Sequence, residues 1–498
     1  MQSKRILLVL VALLMLGLVA CGGQAQQAVQ EAAPTVAAAV EEAAPTVAAA
    51  VEEAAPTVEA AVEEAVSEAE QPAEEEMAEA PAVDELTILW AQWDPADYLA
   101  ELVKDYEAET GITVNVIQEP WGSFQDLFYT EMAAQGDAYD MVVGDSQWIG
   151  TSSSQGHYID LTSFLNDNNL ADTVTEATLT YYGEYPPGSG TYWAFPTEGD
   201  ANGWAYRMDL FEDPEEMAAF EAEYGYPLAP PETMEQLMDI AKFFTRPDEG
   251  LYGTAIYTQA DYDALTMGFQ DVLFSYGANW SDENWNPEGV INSPEAVAAL
   301  EYYKELYDCC QAPGLSNAFF NEVNDAYLSG QVAMAMNYFA FFPALANPEI
   351  SEYADVTGYF VNPAGPNGDQ FASLGGQGIS VISFIPEDRK QASLDFIKWF
   401  AQDDVQAKWG QLGGYSANKA VLASDEFLAV APYNAAFAQT MGMVKDFYNI
   451  PVFGELLRIA QDEVGRYVIG GEGTAQEALD AVAAQHAEIL RDAGFLQE

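Results

Sequence analysis

The sequence predicts an α/β protein built on doubly wound, mostly parallel sheets flanked by helices. Three observations predict it. Strand-like and helix-like runs alternate from Leu86 onward, a second alternating set begins at Met234, and the 415 residues from Asp84 to Glu498 are enough for two domains with separate cores.

Leu86 to Ala91 is a short β-favouring run. Leu99, Leu102, Val103 and Tyr106 fall at helical spacing, and Gly111 ends that helix. Ile112, Val114 and Val116 alternate as a strand, Phe124, Leu127, Phe128 and Met132 mark a second helix, and Met141-Val142-Val143 reads as a buried strand. The order βαβαβ calls for parallel pairing. In the second set Met234, Leu237, Met238, Ala241 and Phe244 form a helix face, Tyr252 to Tyr257 a strand, and Ala296 to Tyr307 a helix. Val332 to Met336 reads as a strand that delivers Asn337, Tyr338, Phe339, Phe341 and Phe342 at its end. Gly375, Gly376 and Gly378 precede a strand at Ile379 to Ile382 and do not fit G-x-G-x-x-G, so they predict a tight backbone crossing and no phosphate cradle. Leu394, Phe396, Ile397 and Phe400 mark the helix that follows.

Ligands of such sheets bind beyond the carboxyl ends of the strands. The first three strand-end loops offer Trp93 and Asp94, then Glu119 and Trp121, then Asp145, Gln147 and Trp148. Each pairs a tryptophan with an acid or amide. Large rings beside short hydrogen-bonding groups suit a polar molecule with an apolar face, which describes a sugar. Any one of these tryptophans could instead be a core residue.

The amino terminus directs the chain out of the cytoplasm. Lys4 and Arg5 precede an apolar run from Ile6 to Ala20, the n-region and h-region of a secretory signal. Leu18-Val19-Ala20-Cys21-Gly22 resembles the lipobox of bacterial lipoproteins, which implies a signal over residues 1–21 and lipidation at Cys21. An extracytoplasmic location disfavours ATP-driven and NAD-dependent enzymes. Residues 31–63 then carry three copies of an eleven-residue unit, with Pro34, Pro45 and Pro56 in register. Residues 22–83 are read as an acidic, low-complexity tether, in preference to a small helical bundle, because the only sizeable apolar side chains of the repeat are valines.

The chain has 80 acidic and 16 basic residues, a net charge of −64. With 14 acids in the tether and 2 basic residues in the signal, residues 84–498 still hold 66 acids against 14 basic residues. Nucleic acid and anionic membrane surfaces are excluded as partners, leaving the lipid as the only membrane contact. A solvated acidic surface explains the charge; a cationic ligand is the sharper alternative. Beyond Cys21 only Cys309 and Cys310 remain, read as two small half-buried hydrophobes at a helix end in preference to a vicinal disulfide.

Tyr192 to Phe211, YWAFPTEGDANGWAYRMDLF, resembles the stretch where bacterial extracellular sugar-binding proteins of the maltose-binding type first cross between lobes. Tyr139-Asp140-Met141-Val142-Val143, Asp160-Leu161-Thr162, Asn292-Ser293-Pro294-Glu295-Ala296, Gly330-Gln331-Val332-Ala333-Met334 and Gly375-Gly376 add matches in order across most of residues 84–498. The resemblance implies a type II periplasmic-binding-protein fold of two lobes joined by hinge strands, with 84–197 and 373–423 in the N-lobe and 198–372 and 424–498 in the C-lobe. It also implies site residues at Asp145, Trp148, Asp200, Tyr338 and Phe341, besides the glycines Gly375 and Gly376. The chain departs from the family at Gly413-Gly414-Tyr415-Ser416, where many members have a proline, and the aromatic pair is not tryptophan.

The function expected is that of a monomeric, extracytoplasmic, lipid-anchored substrate-binding protein of an ABC importer. It would capture a carbohydrate, deliver it to the permease, and need no cofactor or metal. Two alternatives stand: the same fold binding a polyamine or other cation, and a secreted glycoside hydrolase using paired carboxylates. With only His157 and His486, no HExxH and no G-x-S-x-G, metalloprotease and serine esterase readings fail. Asp282, Asn284 and Asn286 suggest a calcium loop, but Pro287 takes the glycine position.

Overall fold

The computed structural model describes residues 83–260 and 262–497. The signal, Cys21 and the repeats lie outside the described residues. Strand β1 (Glu85–Ala91) leads into helix α1 (Asp94–Thr110), which has Pro95 in its first turn together with Asp94 and Asp97, acids that suit the positive end of the helix dipole. Gly111, at φ +81°, ends the helix by returning its N–H to the Glu107 carbonyl at 2.8 Å. Strand β2 (Thr113–Glu119) lies parallel to β1 over seven residue pairs, from Glu85 opposite Thr113 to Ala91 opposite Glu119. Helix α2 (Trp121–Ala133) buries Phe124, Phe128 and Met132, and β3 (Met141–Asp145) joins the other edge of β1 in parallel.

Short helical segments lead to β4 (Phe195–Glu198). The chain crosses at residues 199–201 and starts the second lobe with β5 (Asn202–Arg207). Helix α3 (Met234–Phe243), opened by a capping box between Thr233 and Gln236, precedes β6 (Tyr252–Ala255). Helices α4 (Ala264–Ser275), α5 (Pro294–Cys310) and α6 (Phe320–Leu328) lead to β7 (Val332–Tyr338) and β8 (Thr357–Phe360). The return passes through β9 (Ala372–Ser373) into β10 (Gln377–Val381), and β11 (Val444–Lys445) later pairs with β9 in parallel.

The first sheet has the order β2-β1-β3-β10-β4 and the second β6-β7-β5-β8. Both are mixed. The βα units supply parallel neighbours, whereas β10 runs antiparallel to β3 and β4, and β5 antiparallel to β7 and β8, because these strands arrive from an interlobe crossing with no right-handed helical crossover. Strand β7 extends two residues past Met336, so Tyr338 ends the strand and does not lie beyond it.

Each lobe has its own core. Trp90, Phe124, Phe128, Trp148, Phe396 and Trp409 belong to the first; Trp204, Leu237, Phe269, Leu300, Tyr303 and Met334 belong to the second. Cys309 and Cys310, expected as two half-buried hydrophobes, are joined by a disulfide at the carboxyl end of α5. Among the described residues no helix is long and apolar enough to cross a membrane.

The crossings run side by side. Ala201 bridges Leu374, the Gly375 N–H donates to the Asp200 carbonyl at 3.1 Å, and the Leu374 N–H donates to the Lys445 carbonyl at 2.9 Å. Buried Asp271 of α4 accepts from the Ser373 N–H at 2.5 Å and from Asn202 Nδ2 at 3.1 Å, tying both crossings to the second lobe. Only glycine fits where they pass the lobes: a Cβ on Gly375 would stand 2.2 Å from the Tyr338 ring, and one on Gly376 would stand 1.8 Å from the Tyr182 hydroxyl and 2.4 Å from the Glu198 carbonyl.

Candidate functional site

A cavity of about 430 Å³ opens between the lobes at the strand ends. From the first lobe it is lined by Trp93 after β1, by Trp121, Gln125 and Asp126 on α2, and by Asp145, Ser146 and Gln147 after β3. Asp200, Leu374 and Gly375 of the crossings line it too, with Gln259, Tyr262, Asp263, Phe319, Phe320, Tyr338 and Phe341 from the second lobe. Rings from both sides meet in it: Trp93 and Trp121 lie edge to face at 5.3 Å, Trp121 and Tyr262 at 6.0 Å, and Phe320 and Phe341 stack at 4.1 Å.

Polar groups also bridge the lobes. The Tyr262 hydroxyl donates to Asp145 Oδ2 at 2.7 Å, Gln147 Nε2 donates to Asp263 Oδ2 at 3.0 Å, and Ser146 Oγ donates to Asp446 Oδ2 at 2.8 Å. Local turns set these groups in place: the Asp145 carboxylate accepts the Gln147 N–H at 3.1 Å and caps the short turn that carries Ser146 and Gln147. Tyr262 takes φ +50°, a left-handed conformation unusual for a tyrosine, which marks a position fixed by its surroundings.

Burial dominates the electrostatics. It raises the Asp145 carboxyl, with the Tyr262 hydroxyl and the Gln147 N–H pulling the other way. It pushes Asp263 well above the ordinary carboxylate range, helped by repulsion from Asp145 and Asp446, and it raises Asp446 to about 7. Asp200 is pushed well up by the same cause, opposed by the Ala201 and Ala340 N–H groups on its Oδ1 at 2.8 and 3.3 Å. Among the described residues, three buried polar atoms of the lining have no protein partner: Trp93 Nε1, Tyr338 Oη and Asp263 Oδ1. Such groups are costly unless something completes their hydrogen bonds.

Of the residues expected at the site, the structure brings together Trp93, Trp121, Asp145, Gln147, Asp200, Tyr338, Phe341 and Gly375. Four lie elsewhere. Trp148 is buried in the first-lobe core, stacked on Phe128 at 5.4 Å and beside Phe124, because the turn after β3 points its ring back under the sheet. Asp94 starts α1, exposed and outside the cavity lining, and Glu119 ends β2, where its carbonyl accepts the Gln92 N–H. Gly376 packs against Tyr182 and the backbone of Glu198. Sequence reasoning missed Tyr262 and Asp263, although they follow β6 and the strand-end rule used for the first sheet points there. It also missed Gln125 and Asp126, which sit four and five residues after Trp121 on α2, and Phe319 and Phe320 at the start of α6.

Residues 92–407 match the family model described as bacterial extracellular solute-binding protein. A mannitol-binding protein of Pseudomonas aeruginosa is 22% identical over 383 residues, 74% of this chain and 84% of that protein. A solute-binding protein of Agrobacterium radiobacter solved with ribitol superposes with TM-score 0.69 at 24% identity, covering 82% of this chain and 99% of that one. Maltose-bound MalE3 of T. maritima gives TM-score 0.69 at 22% identity, covering 82% and 100%.

Proposed function

The chain belongs to the bacterial extracellular solute-binding protein family, and from that membership we propose that it serves an ABC importer by capturing a sugar or polyol between its lobes and presenting it to the permease. One observation carries the reading. Aromatic faces from both lobes enclose a single cavity in which Trp93 Nε1, Tyr338 Oη and Asp263 Oδ1 lack partners. A saccharide completes such a site: its C–H faces lie on the rings while its hydroxyls donate and accept at the unpartnered atoms. The mannitol, ribitol and maltose named for the relatives share that chemistry.

We assign 84–197 and 373–423 to one lobe and 198–372 and 424–498 to the other. Ligand contacts made by both lobes favour the closed arrangement, and closure is the signal for the permease. Micromolar affinity, about −8 kcal/mol, suffices for capture and still permits release. Cys21 carries the lipid, residues 22–83 form the tether, and the protein acts as a monomer that binds without transforming its ligand.

Melting the protein against a panel of neutral monosaccharides, disaccharides, alditols and polyamines tests this, since a ligand at a hundredfold its dissociation constant adds about 2.7 kcal/mol of stability. Stabilisation by a neutral saccharide or alditol, with no new reducing ends after incubation with oligosaccharides, is the expected result. Stabilisation by polyamines alone, or release of reducing ends, overturns it.

A further inference from the structure

Among the described residues four aspartates line the cavity, Asp126, Asp145, Asp200 and Asp263, and no lysine, arginine or histidine does. Three of the four are already engaged. Asp145 holds the Tyr262 hydroxyl and the Gln147 N–H, Asp200 holds two backbone N–H groups, and Asp263 uses Oδ2 to accept from Gln147. Asp263 Oδ1 is different: the residue is 6% exposed, it lines the cavity, and that oxygen has no partner. Tyr338 Oη is a second buried atom of a residue lining the same cavity that has no partner.

We propose that the saccharide taken by this cleft carries a protonated amine, seated on Asp263 Oδ1 beside the Tyr338 hydroxyl, so that an amino sugar or aminated cyclitol binds in preference to its neutral parent. The inference rests on the carbohydrate reading above and narrows it. Asp263 is buried with no cation among the described lining residues, and an isolated buried carboxylate is among the most unfavourable groups a site can hold. A neutral hydroxyl offers Asp263 one hydrogen bond. An ammonium offers a charge-assisted bond, further donors for the Tyr338 oxygen, and attraction to the surrounding indole and phenol faces.

Calorimetry on the full chain with matched sets decides the matter: glucosamine, glucose and N-acetylglucosamine; galactosamine, galactose and N-acetylgalactosamine; the β-1,4-linked glucosamine disaccharide and cellobiose. In at least one set the amine should bind at least about tenfold more tightly than its neutral counterparts, as a charge-assisted hydrogen bond implies. Asp263→Asn should erase that preference, weakening the amines by at least about tenfold more than their neutral counterparts. Neutral saccharides that bind as tightly as the amines in every set, or a preference that survives in Asp263→Asn, each overturn this inference and leave the carbohydrate reading standing. Spermidine binding with no saccharide binding at all overturns both.

Discussion

Replacing Tyr338 by phenylalanine separates a ligand-facing hydroxyl from a ring that the fold needs. The ring is 5% exposed, lies against Gly375 and sits 6.0 Å from Tyr257, so deleting it as Tyr338→Ala would cost about 3–5 kcal/mol of folding stability and confound any binding measurement. The hydroxyl has no partner in the protein. Tyr338→Phe keeps the packing and removes a buried group whose isolation costs about 1–3 kcal/mol, so the ligand-free protein should melt no lower than wild type, and at a higher temperature if that cost is felt in full. In the complex the same change loses one hydrogen bond, about 0.5–1.5 kcal/mol, or about a two- to twelvefold weaker dissociation constant. Differential scanning calorimetry of the free protein and titration calorimetry with the best saccharide of the panel read the two quantities separately. Opposite movement of stability and affinity is the signature. A lower ligand-free melting temperature with unchanged affinity would show that the hydroxyl serves the fold, and would refute its placement at the ligand.

Gly375→Ala should weaken binding and lower stability together, because its Cβ would stand 2.2 Å from the Tyr338 ring and force either the crossing or the ring to move; unchanged affinity would show that the ring position is not critical. Stability should fall between about pH 6.5 and 8. Burial raises Asp271 and Asp446 from 3.8 to about 7, so the folded state holds their protons more tightly and this contribution is lost as pH rises through 7. His486, lowered by burial from 6.5 to about 4, acts in the opposite sense only below 6.5. Asp446→Asn should flatten the fall, and a melting temperature that rises over this interval in wild type would contradict the argument. Cys21→Ala should release the protein from detergent-extractable membrane, whereas its retention there would rule out anchoring at that residue.

The first βαβαβ unit was legible because each buried strand and helix face carries its own periodicity; Leu86 to Ala91 and the stripe Leu99, Leu102, Val103, Tyr106 are examples. The strands that pair antiparallel were legible only in part: Val332 to Met336 and Ile379 to Ile382 read as strands, but the direction of neither could be read from its own pattern. β5 and β8 are short, and their direction follows from the chain having crossed between lobes, which no local pattern encodes. The site divides along a similar line. Position at a strand end is written in the sequence, but the direction of a side chain leaving the turn is not, and for this reason three similar tryptophans separated: Trp93 and Trp121 face the cavity, while Trp148 turns onto Phe128. Tyr262 is harder still to foresee. Its ring reaches Trp121 and its hydroxyl reaches Asp145 from a left-handed backbone position, so its role depends on both lobes being assembled and on a conformation that tyrosine rarely adopts alone. Residues that act only after closure have no partner within their own segment, and their function becomes visible only when the opposite lobe supplies one.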